Sequence, residues 1–135
     1  WSCRTMKKAL SVGKKEYRAR YQAWQFGLIA EGLAALMLRL KGYRILARRF
    51  RTPSGEIDLA AGRDRTVAFL EVKARSNFTA AAAVTATQHR RIERAAELFL
   101  AQYPKFHGFD YHFDLVAVMP WRLPSHLPDA WRQDM

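Results

Sequence analysis

The chain has 135 residues, half of them hydrophobic, and a formal net charge of +11 from 23 Lys and Arg against 12 Asp and Glu. This length suits one domain with a hydrophobic core, and the apolar content excludes disorder of the whole chain. The single cysteine excludes an intrachain disulfide and a cysteine zinc cluster. The positive charge favours a polyanionic partner, with nucleic acid ahead of an anionic membrane.

The sequence contains no uninterrupted apolar run of the length that spans a bilayer, which is about 20 residues. No apolar stretch follows the basic residues at the start of the chain, as it would in a secretory signal. We therefore expect no membrane association and a reducing, cytoplasmic location.

Residues 1–18 are rich in lysine and arginine and predict a basic N-terminal arm. A helix is predicted from about Ala19 to Lys41, with Gly42 as its C-cap. The next segments predict a strand over 43–50 and a turn at "TPSG". A hairpin follows, with strands at 56–61 and 66–74 joined by "GRDR".

A second helix is predicted over 85–103, because apolar residues recur there at helical spacing. A final strand is predicted over 111–119, and the proline-containing residues 120–135 predict an irregular tail. As a right-handed crossover, the second helix would make the third and fourth strands parallel. The expected fold class is α/β, with a small mixed sheet flanked by helices in a domain over 19–119.

Charged residues interrupt the apolar pattern of the hairpin. Alternation predicts that Ile57 and Leu59 face one side of the sheet and Asp58 the other. On the third strand, Glu71 and Lys73 share a face, with Cα atoms roughly 7 Å apart. If strand pairing brings Asp58 beside Glu71, two carboxylates and one ammonium converge.

Such a set suits Mg²⁺ or Mn²⁺, because hard divalent cations prefer carboxylate oxygens and water as ligands. A bound cation would polarise a phosphodiester and lower the pKa of a bound water. The alternative is that Asp58 and Glu71 are surface carboxylates, with Lys73 as a plain salt-bridge partner.

Glu31 is the one charged residue in the 13-residue run "FGLIAEGLAALML". A buried carboxylate without a partner is costly. We therefore expect Glu31 to contact a metal, a lysine or bound water. The alternative is a satisfied helix glutamate at the rim of the core.

The segment "AEGLAALMLRLKGYRILARRFRTPSGEIDLAAGRDRTVAFLEVKARS" resembles the YraN family, also called UPF0102, of small bacterial predicted endonucleases. More distantly it is similar to archaeal Holliday-junction resolvases and the PD-(D/E)xK nuclease superfamily. The resemblance covers about residues 17–119, and its most specific elements are "GEIDL", "EVKARS" and the helix glutamate followed by "KGYRIL". One departure is that Ile57 precedes Asp58, where the superfamily has proline.

The resemblance implies a restriction-endonuclease-like core in the order αβββαβ. It also implies a metal held by Asp58, Glu71 and the backbone carbonyl of Val72. The further catalytic side chains that it implies surround this metal: Lys73 as the catalytic lysine, Glu31 as an accessory acid and Gln88 at the start of the second helix.

Arginines are grouped around the candidate site and would bind a phosphate backbone without sequence preference. Arg39, Lys41 and Arg44 begin a basic run in the sequence that contains no acid. The alternative for any one of these residues is a solvated charged face. The candidate phosphate-binding residues are Arg48, Arg49, Arg51, Arg75, Arg90, Arg91 and Arg94.

The remaining polar residues are interpreted as structural. No metal-ligand spacing links the four histidines, which we interpret as bystanders: His89, His107, His112 and His126. Asp114 either pairs with a basic residue near the site or has a purely structural role, and the second interpretation is favoured.

Together these features predict a Mg²⁺- or Mn²⁺-dependent endonuclease that acts on DNA, with branched or otherwise structured DNA as one form of substrate. RNA is not excluded as a substrate. A homodimer is compatible with this prediction, because two cuts need two sites. The alternative is a nucleic-acid-binding module that has the nuclease fold and no catalytic activity.

Overall fold

The structure, a computed structural model, describes residues 3–75 and 85–131, apart from the side chains of residues 3–12, 21, 23 and 24. The outer ends of the predicted arm and tail, residues 1–2 and 132–135, lie outside the described residues. The described elements are α1 (Cys3–Leu40), β1 (Arg44–Thr52), β2 (Gly55–Arg63), β3 (Thr66–Ala74), α2 (Ala86–Gln102), a 3-10 turn (Pro104–Phe106), β4 (Asp110–Val118) and β5 (Ser125–Trp131).

The five strands form one mixed sheet in the order β1-β2-β3-β4-β5. The β3–β4 pair is parallel and the other pairs are antiparallel. This confirms the predicted crossover through α2. Asp64 and Arg65, with φ of 52° and 62°, form the two-residue turn between β2 and β3. Positive φ at both residues is typical of the type I′ hairpin turn.

Each helix contributes to a hydrophobic core. α1 contributes small residues, Ala30, Ala34 and Ala35, to a core with Leu59 and Leu70 of the sheet. The second core joins α2 to other sheet residues and includes Ile57, Ala60, Phe69, Ile92 and Phe99. The predicted α/β fold class is therefore confirmed, and the architecture is consistent with a restriction-endonuclease-like fold.

α1 begins at Cys3 and not near Ala19, so most of the predicted N-terminal arm belongs to this helix. The predicted stop is confirmed: Tyr43 N–H donates to the Leu38 carbonyl and Gly42 N–H to the Arg39 carbonyl. Gly42 has φ of 90°, and these two bonds form a Schellman motif. By length and composition alone, the segment Gly13–Leu40 is apolar enough to cross a membrane, although a core helix of an α/β domain passes the same test.

The prediction of an irregular tail is wrong for Ser125–Trp131, which pairs with β4 as the edge strand β5. Three prolines in the tail suggested a loop, but only Pro128 lies in this strand, and an edge strand tolerates proline. The β4–β5 register shifts between Phe113 and Leu115. Asp129, with φ of 51°, donates its N–H to the Asp114 side chain, so β5 is joined to β4 partly through a side chain.

The predicted alternation along β2 is also wrong. Leu59 belongs to the core of α1, whereas Ile57 belongs to the core of α2. On the neighbouring strand, Arg49 adopts φ of 53° between two paired residues. The left-handed conformation of Arg49 interrupts the regular pleat beside Asp58. Asp58 therefore lies where the regular pattern of the sheet is broken.

Candidate active site

The hairpin brings the carboxyl groups of Asp58 and Glu71 together, as the sequence suggested. Val72 N–H donates to Asp58 Oδ2 over 2.8 Å. The pKa of Asp58 is raised from 3.8 to about 7, mainly by burial and next by the charge of Glu71. The Val72 hydrogen bond lowers this pKa. The charge of Glu31 and a hydrogen bond with Glu71 raise it further. Asp58 is thus surrounded by two other carboxylates and one backbone donor, an environment that is suited to binding a cation.

Lys73 lies beside this pair on β3. Its Nζ atom is 3.1 Å from Glu71 Oε1, and the residue is only 7 % exposed. The predicted placement of Glu71 and Lys73 on one face is therefore confirmed. A nearly buried ammonium in contact with a carboxylate lies in position to contact an anion that approaches the pair.

Glu31 is 9 % exposed, and its partner is Arg49. Arg49 Nε lies 3.1 Å from both carboxylate oxygens of Glu31. The expectation that Glu31 contacts a metal, a lysine or water is therefore replaced by an arginine ion pair. This pair links α1 to the irregular point of β1, one strand away from Asp58.

An open groove of about 250 Å³ leads to Asp58. Its lining is mainly charged or small: Gly27, Leu28, Glu31, Arg49, Arg51, Asp58 and Val72. Glu71 lines a smaller pocket of about 50 Å³ together with Glu56, Gln88, Arg91 and Ile92. The carboxyl pair is thus approached from α1 on one side and from α2 on the other.

Gln88 lies near Glu71, but its side-chain contacts are those of a helix cap. Its Oε1 atom accepts from Thr85 N–H over 3.1 Å, and Thr85 Oγ1 accepts from Gln88 N–H over 3.2 Å. This reciprocal capping box fixes the first turn of α2. The structure therefore gives Gln88 a helix-capping role beside the site.

The close approach of α2 to the hairpin depends on Gly55. A Cβ atom on Gly55 would lie 1.8 Å from the Arg91 carbonyl oxygen. Arg91 donates from its guanidinium to Glu56 over 2.8 Å, and this ion pair is partly exposed. The absence of a side chain at Gly55 thus allows Arg91 and Gln88 to lie next to Glu71.

The predicted phosphate-binding arginines are only partly brought together. Arg49 and Arg51 line the groove at Asp58, and Arg91 lines the pocket at Glu71. Arg75 donates to the Ala74 carbonyl beside the end of β3. The other candidates are exposed and line neither cavity: Arg48, Arg90 and Arg94.

A buried polar cluster on β4 was not predicted. Asp114 is fully buried and lies 2.5 Å from His112 Nδ1, 2.7 Å from His126 Nε2 and 2.8 Å from Asp129 N. Burial would raise the pKa of Asp114, but these hydrogen bonds and the His112 charge together lower it. His112 and His126, which the sequence did not link to any partner, are therefore the hydrogen-bond partners of Asp114. The spacing of two residues along β4 could have indicated that His112 lies beside Asp114. His126 lies beside Asp114 only because β5 pairs with β4.

The donor set determines which metal ion would fit. Among the described residues, no group of three or more His, Cys, Asp or Glu side chains is placed to hold a metal ion. Structural zinc requires four protein ligands. Mg²⁺ instead needs only one or two carboxylates, and water and substrate oxygens complete its shell. The Asp58–Glu71 pair therefore fits Mg²⁺ or Mn²⁺.

The fold and this site define an α/β domain with a partly buried carboxyl pair and an adjacent lysine. The sequence profile of the uncharacterised protein family UPF0102 matches residues 30–118. The chain is 55 % identical over 111 residues to a UPF0102 protein of Parvibaculum lavamentivorans, covering 82 % of this chain and 84 % of that protein. It is 51 % identical over 122 residues to one of Paramagnetospirillum magneticum, covering 87 % and 95 %. The protein belongs to the UPF0102 family.

Proposed function

We propose that this protein is a Mg²⁺- or Mn²⁺-dependent endonuclease of the PD-(D/E)xK superfamily that hydrolyses phosphodiester bonds in DNA. The observation that carries the proposal is the approach of Asp58 to Glu71 beside the nearly buried Lys73. A largely buried carboxyl group whose pKa is strongly raised beside a second carboxylate, as for Asp58, is typical of functional sites, because such an arrangement does not stabilise the fold.

Asp58 and Glu71 would hold the metal through their carboxylate oxygens, with the backbone carbonyl of Val72 as a further ligand. When bound, the metal ion supplies Lewis-acid polarisation of the phosphoryl group and lowers the pKa of a bound water. Val72 N–H holds the Asp58 carboxyl group in position. Glu31 and Arg49 hold each other at the groove wall, so Glu31 acts as a positioning residue.

The chain's own cations account for substrate binding. Lys73 lies where its ammonium would stabilise negative charge that develops on the phosphate. Arg49 and Arg51 line the groove, where they would contact phosphates next to the bond that is cut. The net charge of +11 provides attraction to a phosphate backbone over the whole domain. Cytoplasmic location and nucleic acid as partner are parts of the same proposal.

The test is cleavage of labelled duplex, single-stranded and four-way-junction DNA, and of RNA, in Mg²⁺, in Mn²⁺ and in EDTA. We expect metal-dependent cleavage by the wild type. Glu71→Gln should lose activity by about 10²-fold to 10³-fold, because it removes one of two metal-binding carboxylates. Glu97→Gln is the matched control, since it makes the same exchange at an exposed position of α2 that lines neither cavity.

Equal loss in the two variants would contradict the assignment of Glu71. Wild-type protein that binds DNA but cuts no substrate in either metal would support the alternative, a nucleic-acid-binding module with the same fold. Cleavage of RNA alone would change the substrate class and leave the site assignment in place.

A further inference from the structure

A second cationic site lies at the corner where α1 ends and β1 begins. An open groove of about 470 Å³ is lined there by Arg39, Gly42, Tyr43, Arg44 and Ile45. None of these lining residues is acidic. We call this region the basic corner; it consists of these five residues together with Lys41 and Arg63.

The side chain of Arg63 is held in a defined position over the basic corner. One guanidinium nitrogen donates to the Lys41 carbonyl over 3.0 Å. The guanidinium carbon lies 4.3 Å from the centre of the Tyr43 ring, within the range of a cation–π contact.

Lys41 is held by the buried cluster on β4. Its Nζ atom lies 3.2 Å from His126 Nδ1, while the other ring nitrogen of His126 contacts Asp114. If Nε2 carries the proton donated to Asp114, Nδ1 is the acceptor for the lysine ammonium. The fully buried Asp114 therefore positions a surface cation through His126.

These contacts distinguish the basic corner from an ordinary solvated face. Two of its cations are held by aromatic and buried polar groups, and Arg39 and Arg44 are exposed beside them. Within the part of the chain that the structure describes, no ion pair is found for Arg39, Lys41, Arg44 or Arg63. Preorganised cations without acidic partners bind anions with less loss of side-chain entropy.

We propose that the basic corner is a second phosphate-binding site for the nucleic-acid backbone. The inference rests on the proposed function in taking nucleic acid as the substrate. Arg44 pairs with Gly62, which is four residues from Asp58 along β2, or about 13 Å. A DNA strand that runs along β2, with a rise of about 3.4 Å per nucleotide, would therefore reach the basic corner about four nucleotides from the bond that is cut.

The experiment measures binding of a fluorescein-labelled 20-base-pair duplex by anisotropy at several salt concentrations, in EDTA. Arg39→Gln/Arg44→Gln is compared with Lys105→Gln/Arg122→Gln, which removes the same charge at exposed positions elsewhere. We expect the corner variant to bind about tenfold more weakly, with a slope of log affinity against log salt that is lower by about 1 to 2. The control should bind within about twofold of the wild type. Thermal denaturation checks that both variants are folded.

Equal affinity and equal salt slope in the two variants would overturn the inference. If the wild type still cuts DNA in that case, the proposed nuclease function stands without the basic corner. If the corner variant alone loses binding while the wild type cuts no substrate, the second phosphate site is supported and the nuclease function is overturned. A wild type that does not bind the duplex at low salt overturns the inference directly.

Discussion

Asp58 on β2 and Asp114 on β4 belong to the same sheet, yet their environments have opposite effects on their carboxyl groups. Asp114 is surrounded by donors: two histidine rings and the Asp129 N–H. Asp58 accepts one backbone hydrogen bond and faces the carboxylates of Glu71 and Glu31. As a result the pKa of Asp114 is lowered and the pKa of Asp58 is raised to about 7.

The comparison separates a structural carboxylate, Asp114, from the proposed metal ligand, Asp58. A buried charge that is satisfied by its neighbours contributes to the fold, and removing it leaves those neighbours without a partner. A carboxyl group that is buried beside other carboxylates costs stability, and its presence is explained by a ligand or a reaction. The four predictions that follow test this distinction, from the largest expected effect to the smallest.

Asp58→Asn and Asp114→Asn should affect different properties. If the proposed function holds, Asp58→Asn should reduce DNA cleavage by about 10²-fold to 10³-fold, because it would remove a carboxylate that is proposed to bind the metal. Its melting temperature should be equal to or above that of the wild type. Asp114→Asn should keep cleavage per folded molecule within about threefold. The assay is cleavage in Mg²⁺ on protein whose folded fraction has been measured by circular dichroism. Loss of cleavage in folded Asp114→Asn protein would contradict the assignment of a structural role to Asp114.

Asp114→Ala should lower the free energy of unfolding by about 3 kcal/mol, because His112, His126 and the Asp129 N–H lose a buried acceptor. Urea denaturation measures the change. Asp110→Ala, at an exposed position on the same strand, is the control and should cost less than about 0.5 kcal/mol. Similar losses in the two variants would contradict a structural role for Asp114.

The dependence of stability on pH should differ between the two aspartates. Because the pKa of Asp58 is higher in the folded state, about 7, than its ordinary value of 3.8, folded protein binds the proton more tightly. The associated stability is present at low pH and is lost as the pH rises through 7. Between pH 5 and pH 8 the wild type should lose about 2 kcal/mol relative to Asp58→Asn.

This pH series is measured by urea denaturation in EDTA. The pKa of Asp114 is lowered in the folded state, so its stabilising effect is present above pH 4 and is lost only as the pH falls through that lowered value. Asp114→Asn should therefore change the stability curve only below pH 4 and leave the slope between pH 5 and pH 8 intact. A wild-type slope that is unchanged by Asp58→Asn would contradict the predicted titration of Asp58.

Glu56→Gln should cause the smallest change in the free energy of unfolding among the variants compared. Glu56 and Arg91 form an ion pair whose side chains are both 44 % exposed. Solvent screens such a pair, so we expect a change in the free energy of unfolding below about 0.5 kcal/mol. Urea denaturation at pH 7 measures it. A loss above 1 kcal/mol would indicate that this pair is needed to hold α2 against the hairpin.

Much of the fold could be predicted from local patterns. The hairpin turn, the cap at Thr85 and the stop at Gly42 depend on residues within a few positions of one another. The strand β5 could not be predicted in the same way. Its stability comes from pairing with β4 and from the Asp129 contact, whereas Pro128 and the prolines before the strand indicate a loop when the sequence is considered alone.

The candidate site was predicted in part. The period of a strand placed Glu71 and Lys73 together, and hairpin pairing suggested Asp58 as their neighbour. The partner of Glu31 was missed because Arg49 reaches it only through a left-handed backbone conformation on β1. A residue other than glycine in that conformation is uncommon and has no clear local signal in the sequence.

The sequence by itself determined the order of the elements from α1 to β4, the basic character of the surface and the residues of the carboxyl pair, because these follow from composition and short-range periodicity. The tertiary structure determined which carboxylates have hydrogen-bond or ion-pair partners. His126 reaches Asp114 from β5, and Arg49 reaches Glu31 from β1. The physical reason is that desolvation and hydrogen bonding act through distances in space, which strand pairing and helix packing set for residues that are far apart in the chain.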